Sequence, residues 1–237
     1  MALSLSAHGA AADAPQTLEA GLLKVCLYPG FAPFAVKRDH GWSGWDTDFL
    51  RDFAQRHHLT LTPVEVEHFD DIWMRPGDDQ CDIAGTGITK TPARTQQTGT
   101  AAAWSDTYYG VARALAVSSG TTVTGIEDLA GKTVVTTRGD ADDLGAQRIA
   151  AGGPDGPIGF AAGLGSVESI LRQYPGLAAK LTHCLMLPGG VLSAEHFGFV
   201  VRAASTGLLE ALNGYIAAPG LPYPGGPGSG LDCPAGQ

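Results

Sequence analysis

Residues 82–94 read Asp82-Ile83-Ala84-Gly85-Thr86-Gly87-Ile88-Thr89-Lys90-Thr91-Pro92-Ala93-Arg94 and gather the groups an anion site needs. A buried strand runs into a glycine-bearing turn, and a helix then starts with Thr91 as its cap and Pro92 in its first position. The turn offers backbone N–H groups, with Gly87 at its centre, and two small hydroxyls, Thr86 and Thr89. Arg94 lies within reach of the same point if the chain turns there. A guanidinium fork, a hydroxyl and a helix N-terminus converging on one point bind a carboxylate. Taken alone, the same residues are also what a surface turn with a solvated arginine would show.

Other residues bear on the same chemistry. Tyr28, Phe31 and Trp45 are candidate aromatic walls for a small ligand, because such sites are concave and mostly apolar; Phe34 and Trp45 serve equally well as core. Gly139-Asp140 opens a second helix, where backbone N–H groups would receive the far side of an anion, with Asp140 either a cap or a partner for a cationic amino group. The Asp140-x-Asp142 pattern lacks the ligands of a calcium loop, Leu144 and Ala151 standing where oxygens are needed. No metal site and no cofactor is expected. The scattered histidines contain no His-Glu-x-x-His, and Ser105-Asp106 has no triad signature, so no catalytic residue is assigned.

The elements that would position these residues follow from periodicity. Residues 22–28 form a short apolar strand closed by Pro29-Gly30. Trp45, Phe49, Leu50, Phe53 and Ala54 fall at helical spacing, with Asp46 read as the N-cap. Leu59 to Val66 alternates as a second strand, and Phe69 to Met74 is a short helical piece. Strand, helix, strand and helix leading to the Asp82 strand describe a parallel α/β sheet with ligands at strand C-termini. Further strands are expected at Val111–Val117, Lys132–Thr137, Cys184–Leu187 and Phe197–Arg202. Helices are expected at Ala141–Ala151, Val167–Leu171 and Gly207–Ala217. A second α/β domain inserted into the first, joined by crossing strands near 111–117 and 197–202, accounts for this order.

Composition narrows the classes of function. The chain has 237 residues, 44% hydrophobic and 16% charged, enough for a substantial core. A formal net charge of −9 argues against nucleic acid and anionic membrane surfaces as partners. No apolar run reaches the about eighteen residues of a membrane span. Residues 1–19 read as the remnant of a signal peptide or a disordered start, with Ala12-Asp13-Ala14 fitting a small-x-small cleavage site. Pro219 to Gln237 is dense in Pro and Gly and reads as a disordered tail. Cys26, Cys81, Cys184 and Cys233 lie far apart without a Cys-x-x-Cys, which gives zinc and thioredoxin-like readings no support.

Five motifs stand in register: Lys24-Val25-Cys26-Leu27-Tyr28-Pro29-Gly30-Phe31-Ala32-Pro33-Phe34, Gly44-Trp45-Asp46-Thr47-Asp48-Phe49, the 82–94 stretch, Trp104-Ser105-Asp106-Thr107-Tyr108-Tyr109, and Ile126-Glu127-Asp128-Leu129-Ala130-Gly131-Lys132-Thr133-Val134. In this order they resemble the extracellular solute-binding proteins of family 3, the amino-acid type. The resemblance implies a two-lobed type 2 periplasmic-binding-protein-like fold. Lobe 1 would be residues 20–112 plus 197–218, and lobe 2 residues 113–196. It also implies an amino acid or similar small carboxylate held between the lobes, an ABC-type membrane transporter permease as partner, a monomer, and a periplasmic or extracellular location. The ligand set would be Arg94, Thr89, Gly87, Thr86, Tyr28, Phe31, Trp45, Gly139 and Asp140. An even cysteine count in an exported protein permits disulfides, in any of three full pairings; in the resembled fold Cys26 and Cys81 precede neighbouring strands and read rather as buried thiols.

Two departures accompany the resemblance. Between Pro154 and Ser166 there is room for one short strand and no helix, so lobe 2 looks shortened, and the Pro/Gly tail stands where a closing helix is expected. Cyclohexadienyl (arogenate/prephenate) dehydratases share the scaffold, with a Cys in the first strand and Cys-Asp-Ile before the glycine turn, where Cys26 and Cys81-Asp82-Ile83 stand here. That enzyme needs a general acid from the second lobe, and Glu168 is the carboxylate nearest a suitable position. A sensor or orphan binding lobe is the third reading.

Overall fold

The computed structural model describes residues 15–117, 126–136, 159–163, 172, 181–182, 186–187, 191–192 and 194–219. The expected helices at Ala141–Ala151 and Val167–Leu171, the start of the Cys184–Leu187 strand and the tail from residue 220 lie outside the described residues.

The first sheet is built around β1 (Leu22–Leu27), a strand whose side chains are buried on alternate faces. A small meander follows: β2 (Gly30–Phe31), β3 (Ala35–Arg38) and β4 (Gly41–Ser43). Helix α1 (Trp45–Arg56) then crosses to β5 (Thr60–Glu65), which runs parallel to β1 in the register Leu22↔Thr60 to Leu27↔Glu65. Parallel neighbours need such a crossover, and the apolar spacing of α1 supplies it. A 3₁₀ turn at Ile72–Met74 leads to β6 (Ile83–Ala84), parallel to β1 on its other side. Next come α2 (Pro92–Thr98) and β7 (Ala102–Trp104).

The chain then enters a second sheet through β8 (Tyr109–Val117), whose neighbours include β10 (Gly159–Gly163) and β11 (Leu181–Thr182). β9 (Val134–Thr136) lies parallel to β10. β12 (Met186–Leu187) and β13 (Val191–Leu192) pair with each other. β14 (Ala194–Phe197) pairs with β8, while β15 (Val200–Arg202) inserts antiparallel between β6 and β7 of the first sheet. Helix α3 (Leu208–Ile216) ends the described chain. The first sheet therefore has the order β5-β1-β6-β15-β7.

Period-2 alternation divides the buried residues between two faces of this sheet. Leu23, Val25, Leu27, Ile83 and Val201 pack on one face against Phe49, Leu50 and Phe53 of α1 and Leu208, Leu212 and Tyr215 of α3. Cys26, Ala84 and Val200 point the other way, towards Tyr28, Ile72, Trp73, Cys81 and Ile88. Rings carry the helix-to-helix contact, with Phe49 and Tyr215 centroids 4.7 Å apart.

Several expectations are corrected. Cys26 and Cys81 are not thiols: they form a disulfide with Cα atoms 5.7 Å apart. Pairing β1 directly with β6 brings the two positions together, which the sequence separation of 55 residues hides. Residues 15–19 belong to the fold rather than to a disordered leader. Gln16 N–H donates to Thr206 O at 3.0 Å, and Leu18 N–H to the buried Asp82 carboxylate at 2.6 Å. The sheet is mixed, not purely parallel, because β15 is antiparallel to its neighbours. The apolar run expected as one strand at Phe197–Arg202 is two, β14 in the second sheet and β15 in the first, broken at Gly198-Phe199. The one short strand allowed between Pro154 and Ser166 is present as β10.

Two predictions follow from this packing. Closing a loop of 55 residues stabilises by ~4 kcal/mol on the chain-entropy model. Reduction, or the Cys26→Ala/Cys81→Ala pair, is expected to lower the melting midpoint by about 10 °C; an unchanged midpoint would show that the bond contributes nothing to stability. On the other face, Asp52 accepts from the Tyr215 hydroxyl and from Arg56 Nε at 3.0 Å. The Tyr215 hydrogen bond, aided by Arg56 and opposed by burial, holds the Asp52 carboxyl below its ordinary 3.8. A depressed folded-state value means stability present above 3.8 and lost as pH falls through the lowered value. Tyr215→Phe is therefore expected to melt below the parent near neutral pH, with the gap closing on acidification. A gap independent of pH would assign the loss to packing instead.

Candidate functional site

The turn after β6 takes its shape from one carboxylate. Asp46 lies in the first turn of α1 with no exposed area. Its Oδ2 accepts from Thr86 N at 2.8 Å, from Gly87 N at 2.6 Å and from the Tyr108 hydroxyl at 2.7 Å. Thr86 and Gly87 stand at φ 86 and 57, left-handed conformations that a β-branched residue adopts only when held there. Thr86 is held twice, since its hydroxyl also accepts from Tyr28 N at 3.0 Å. Gly87 is required on two grounds: its φ, and a Cβ that would fall 2.7 Å from Phe31 Cε1.

Asp46 is thus not the N-cap of α1. Gly44 takes that position at φ 119, where a Cβ would collide with Phe34 O at 2.5 Å, and no side chain caps the helix. Asp46, freed from capping, reaches residues 40 to 62 positions away.

Arg94 is placed by α2. Its N–H donates to the Thr91 hydroxyl at 3.2 Å, the expected cap. Its Nη1 donates to Thr89 O at 3.0 Å. The guanidinium carbon sits 4.3 Å from the Trp73 ring centroid and 5.6 Å from that of Phe69. Thr89 is fixed in turn by an isolated bridge to Phe197, and Lys90 N–H donates to His196 O at 2.9 Å. Phe31 stacks on Phe69 with centroids 5.5 Å apart and planes at 15°. From Phe31 the aromatic contacts continue through Phe34 to Trp45 and Tyr109, at 5.7, 5.3 and 5.6 Å in succession.

Of the residues selected from sequence, the structure joins Arg94 to Thr89, and Phe69 links Arg94 to Phe31, whose ring lies close against Gly87. Trp45 lies further along the aromatic row. Tyr28 and Thr86 have no exposed area, so neither forms part of a surface a ligand would meet; Tyr28 packs edge-on to Phe69 at 6.1 Å. The turn's amides, offered to an anion in the sequence reading, are taken at Thr86 and Gly87 by Asp46. Gly139, Asp140 and Glu168 lie outside the described residues.

Phe69 and Trp73 were missed as site residues. They were legible only as part of a short helical piece, and nothing local to them says that an arginine more than twenty positions later will lie on their rings. Asp46 did carry a signal: the glycine two residues before it closes the cap position without a side chain, leaving a carboxylate in the first helical turn to find another partner.

The model of the bacterial extracellular solute-binding proteins, family 3, matches residues 23–218. No curated protein matches the chain. Among solved structures, the arginine-bound form of a truncated ArgBP from T. maritima is 24% identical with a TM-score of 0.64, covering 83% of this chain and 95% of its own. ArtJ from Geobacillus stearothermophilus, an arginine-, lysine-, histidine-binding protein, is 18% identical at TM-score 0.62, covering 82% and 87%. An ancestral amino acid-binding protein, a precursor of cyclohexadienyl dehydratase, is 19% identical at 0.64, covering 83% and 88%. These identities show a shared fold, that of type 2 periplasmic binding proteins.

The Asp46 arrangement generates a graded expectation. Tyr108→Phe removes one hydrogen bond to a charged group and is expected to cost ~1.5–3 kcal/mol. Asp46→Ala strands two backbone donors and a hydroxyl, and should cost more than about 3 kcal/mol. Denaturant midpoints of the two variants check this; equal losses would mean that the turn does not depend on the carboxylate.

Proposed function

Because the chain belongs to the bacterial extracellular solute-binding proteins of family 3, we propose that it binds an amino acid or similar small carboxylate and delivers it to an ABC-type transporter permease. The observation that carries this reading is the placement of Arg94. Its guanidinium lies on Trp73 and is tied to the Thr89 carbonyl. A guanidinium carries its hydrogen-bonding edges in one plane, the geometry a carboxylate meets two-pronged. In this proposal Thr89 supplies a hydroxyl, and Phe31, one ring away through Phe69, an apolar wall of a small-ligand site.

In this reading residues 20–112 with 197–218 form one lobe and 113–196 the other, and the ligand sits between them, with Gly139 and Asp140 contributing from the second. The chain crosses between sheets at residues 105–108 and 198–199, and the two crossings are paired with each other. Ser105 N–H donates to Phe199 O at 2.9 Å, Phe199 N–H to Ser105 Oγ at 2.9 Å, and Tyr108 N–H to Phe197 O at 3.1 Å. Paired crossings suit a hinge, and contacts from both lobes to one ligand are what drives closure. The Cys26–Cys81 disulfide suits an oxidising compartment, in keeping with a periplasmic or extracellular, monomeric carrier. Arg94 and the aromatic row give binding chemistry, and the general acid the dehydratase reading needs, Glu168, lies outside the described residues, so the dehydratase reading stays the alternative.

Thermal melts with a panel of amino acids, small dicarboxylates, arogenate and prephenate test the proposal. A ligand at about a hundred times its Kd stabilises by ~2.7 kcal/mol, which for a chain of this size raises the midpoint by roughly 5–10 °C. The expected result is such a shift for one amino-acid class, lost in Arg94→Ala. A well-folded parent that shifts with no carboxylate would overturn the reading, and turnover of prephenate or arogenate would replace it.

A further inference from the structure

Arginine is a long, flexible side chain, and a binding site gains affinity when its anchor is held in place before the ligand arrives. Two residues outside the expected ligand set hold this one. Trp73, only 7% exposed, lies face-on to the Arg94 guanidinium at 4.3 Å. The indole is pinned in turn, its Nε1–H donating to Gln97 Oε1 at 2.8 Å. Arg94 and Gln97 are three residues apart on α2 and so share one face of that helix. The same helix thus approaches a single indole twice, with Arg94 over the ring and Gln97 at its N–H edge. The Thr89 carbonyl then limits rotation of the guanidinium within its plane.

We propose that Trp73 and Gln97 are a positioning pair that sets the plane of the Arg94 guanidinium for a carboxylate ligand. This inference rests on the carboxylate-binding reading. Neither residue touches the ligand; each acts through Arg94, Trp73 directly and Gln97 through the indole. Gln97 is exposed and borders an open groove with Asp71, Met74, Arg75 and Asp78, so its substitution leaves the core intact.

The test is calorimetric affinity for whichever amino acid stabilises the parent, measured in Trp73→Phe, Trp73→Leu, Gln97→Leu and the Trp73→Phe/Gln97→Leu double variant. Trp73→Leu removes the ring face and is expected to weaken binding roughly tenfold. Gln97→Leu removes one hydrogen bond and should weaken it about fivefold. In the Trp73→Phe background Gln97→Leu should add nothing, because the N–H it serves is gone. A purely structural role would instead lower the melting midpoints of these variants and leave the affinity of the folded protein unchanged. A second readout needs no ligand: the Arg94 Nε–H proton resonance should be displaced by the indole ring current and return towards its free position in Trp73→Leu. If Arg94→Ala abolishes binding while Trp73→Leu and Gln97→Leu both bind within about twofold of the parent, the positioning pair is overturned and the function stands. If the parent binds no carboxylate, both fall. Additive losses in the double variant would also overturn the pair.

Discussion

The fold around the candidate site depends on burying one charge. Asp46 has no exposed area, and a carboxylate out of water costs several kcal/mol unless its oxygens are met by donors. Its Oδ2 is met by two consecutive backbone amides and a tyrosine hydroxyl, from segments 40 to 62 residues downstream. Three donors from two separate segments converge on that one oxygen, so the turn at Thr86-Gly87 and the position of Tyr108 are fixed together. Tyr108 lies where the chain leaves the first sheet, stacked on Phe199 at 4.0 Å where it returns. The ligand-side turn and the crossing between sheets therefore share a single oxygen.

The rest of the first sheet serves that arrangement from both faces. On one, α1 is pressed to the sheet by Phe49, Leu50 and Phe53, which sets the height at which Asp46 enters the turn. On the other, the disulfide joins the C-terminal end of β1 to the residue just before Asp82, so that β6 begins in register beside β1. β6 has only Ile83 and Ala84 to hold it as a strand. Asp82 adds to this by accepting from Lys24 N at 2.9 Å.

What the sequence made legible was what depends on near neighbours. The Thr91 cap, Pro92 in the first turn and the apolar stripe of α1 are decided within a few residues, and each stands where its spacing put it. The family resemblance added that the strands near Cys26 and Cys81 are neighbours, which no local signal contains and the β1–β6 pairing bears out. Three things failed for one reason, that their partners are distant. Asp46 was read as a cap because capping preference is local, while the amides that claim it lie forty residues on. Cys26 and Cys81 were read as thiols because four cysteines do not reveal which two meet. The run Phe197–Arg202 looked like one strand because its apolar character is continuous, whereas its two halves pair with distant strands of different sheets, β14 with β8 and β15 with β6 and β7. The meander of β2 to β4 escaped notice because strands of two to four residues around a proline have no periodicity to detect.

The buried Asp46 carboxylate also moves the chemistry of the site away from the turn. Backbone amides in a left-handed turn form a ready concavity for an anion, and the sequence suggested that the ligand would use this one. The protein has placed its own carboxylate there instead. An incoming anion would find those donors spent and a like charge behind them, which is repulsive at short range in a low-dielectric interior. Recognition of a carboxylate then falls to groups beyond the Thr86 and Gly87 amides, and Arg94 is a cation that α2 brings to the rim of the turn. A guanidinium held before the ligand arrives binds at a lower ordering cost, and here it is held by Trp73 and the Thr89 carbonyl.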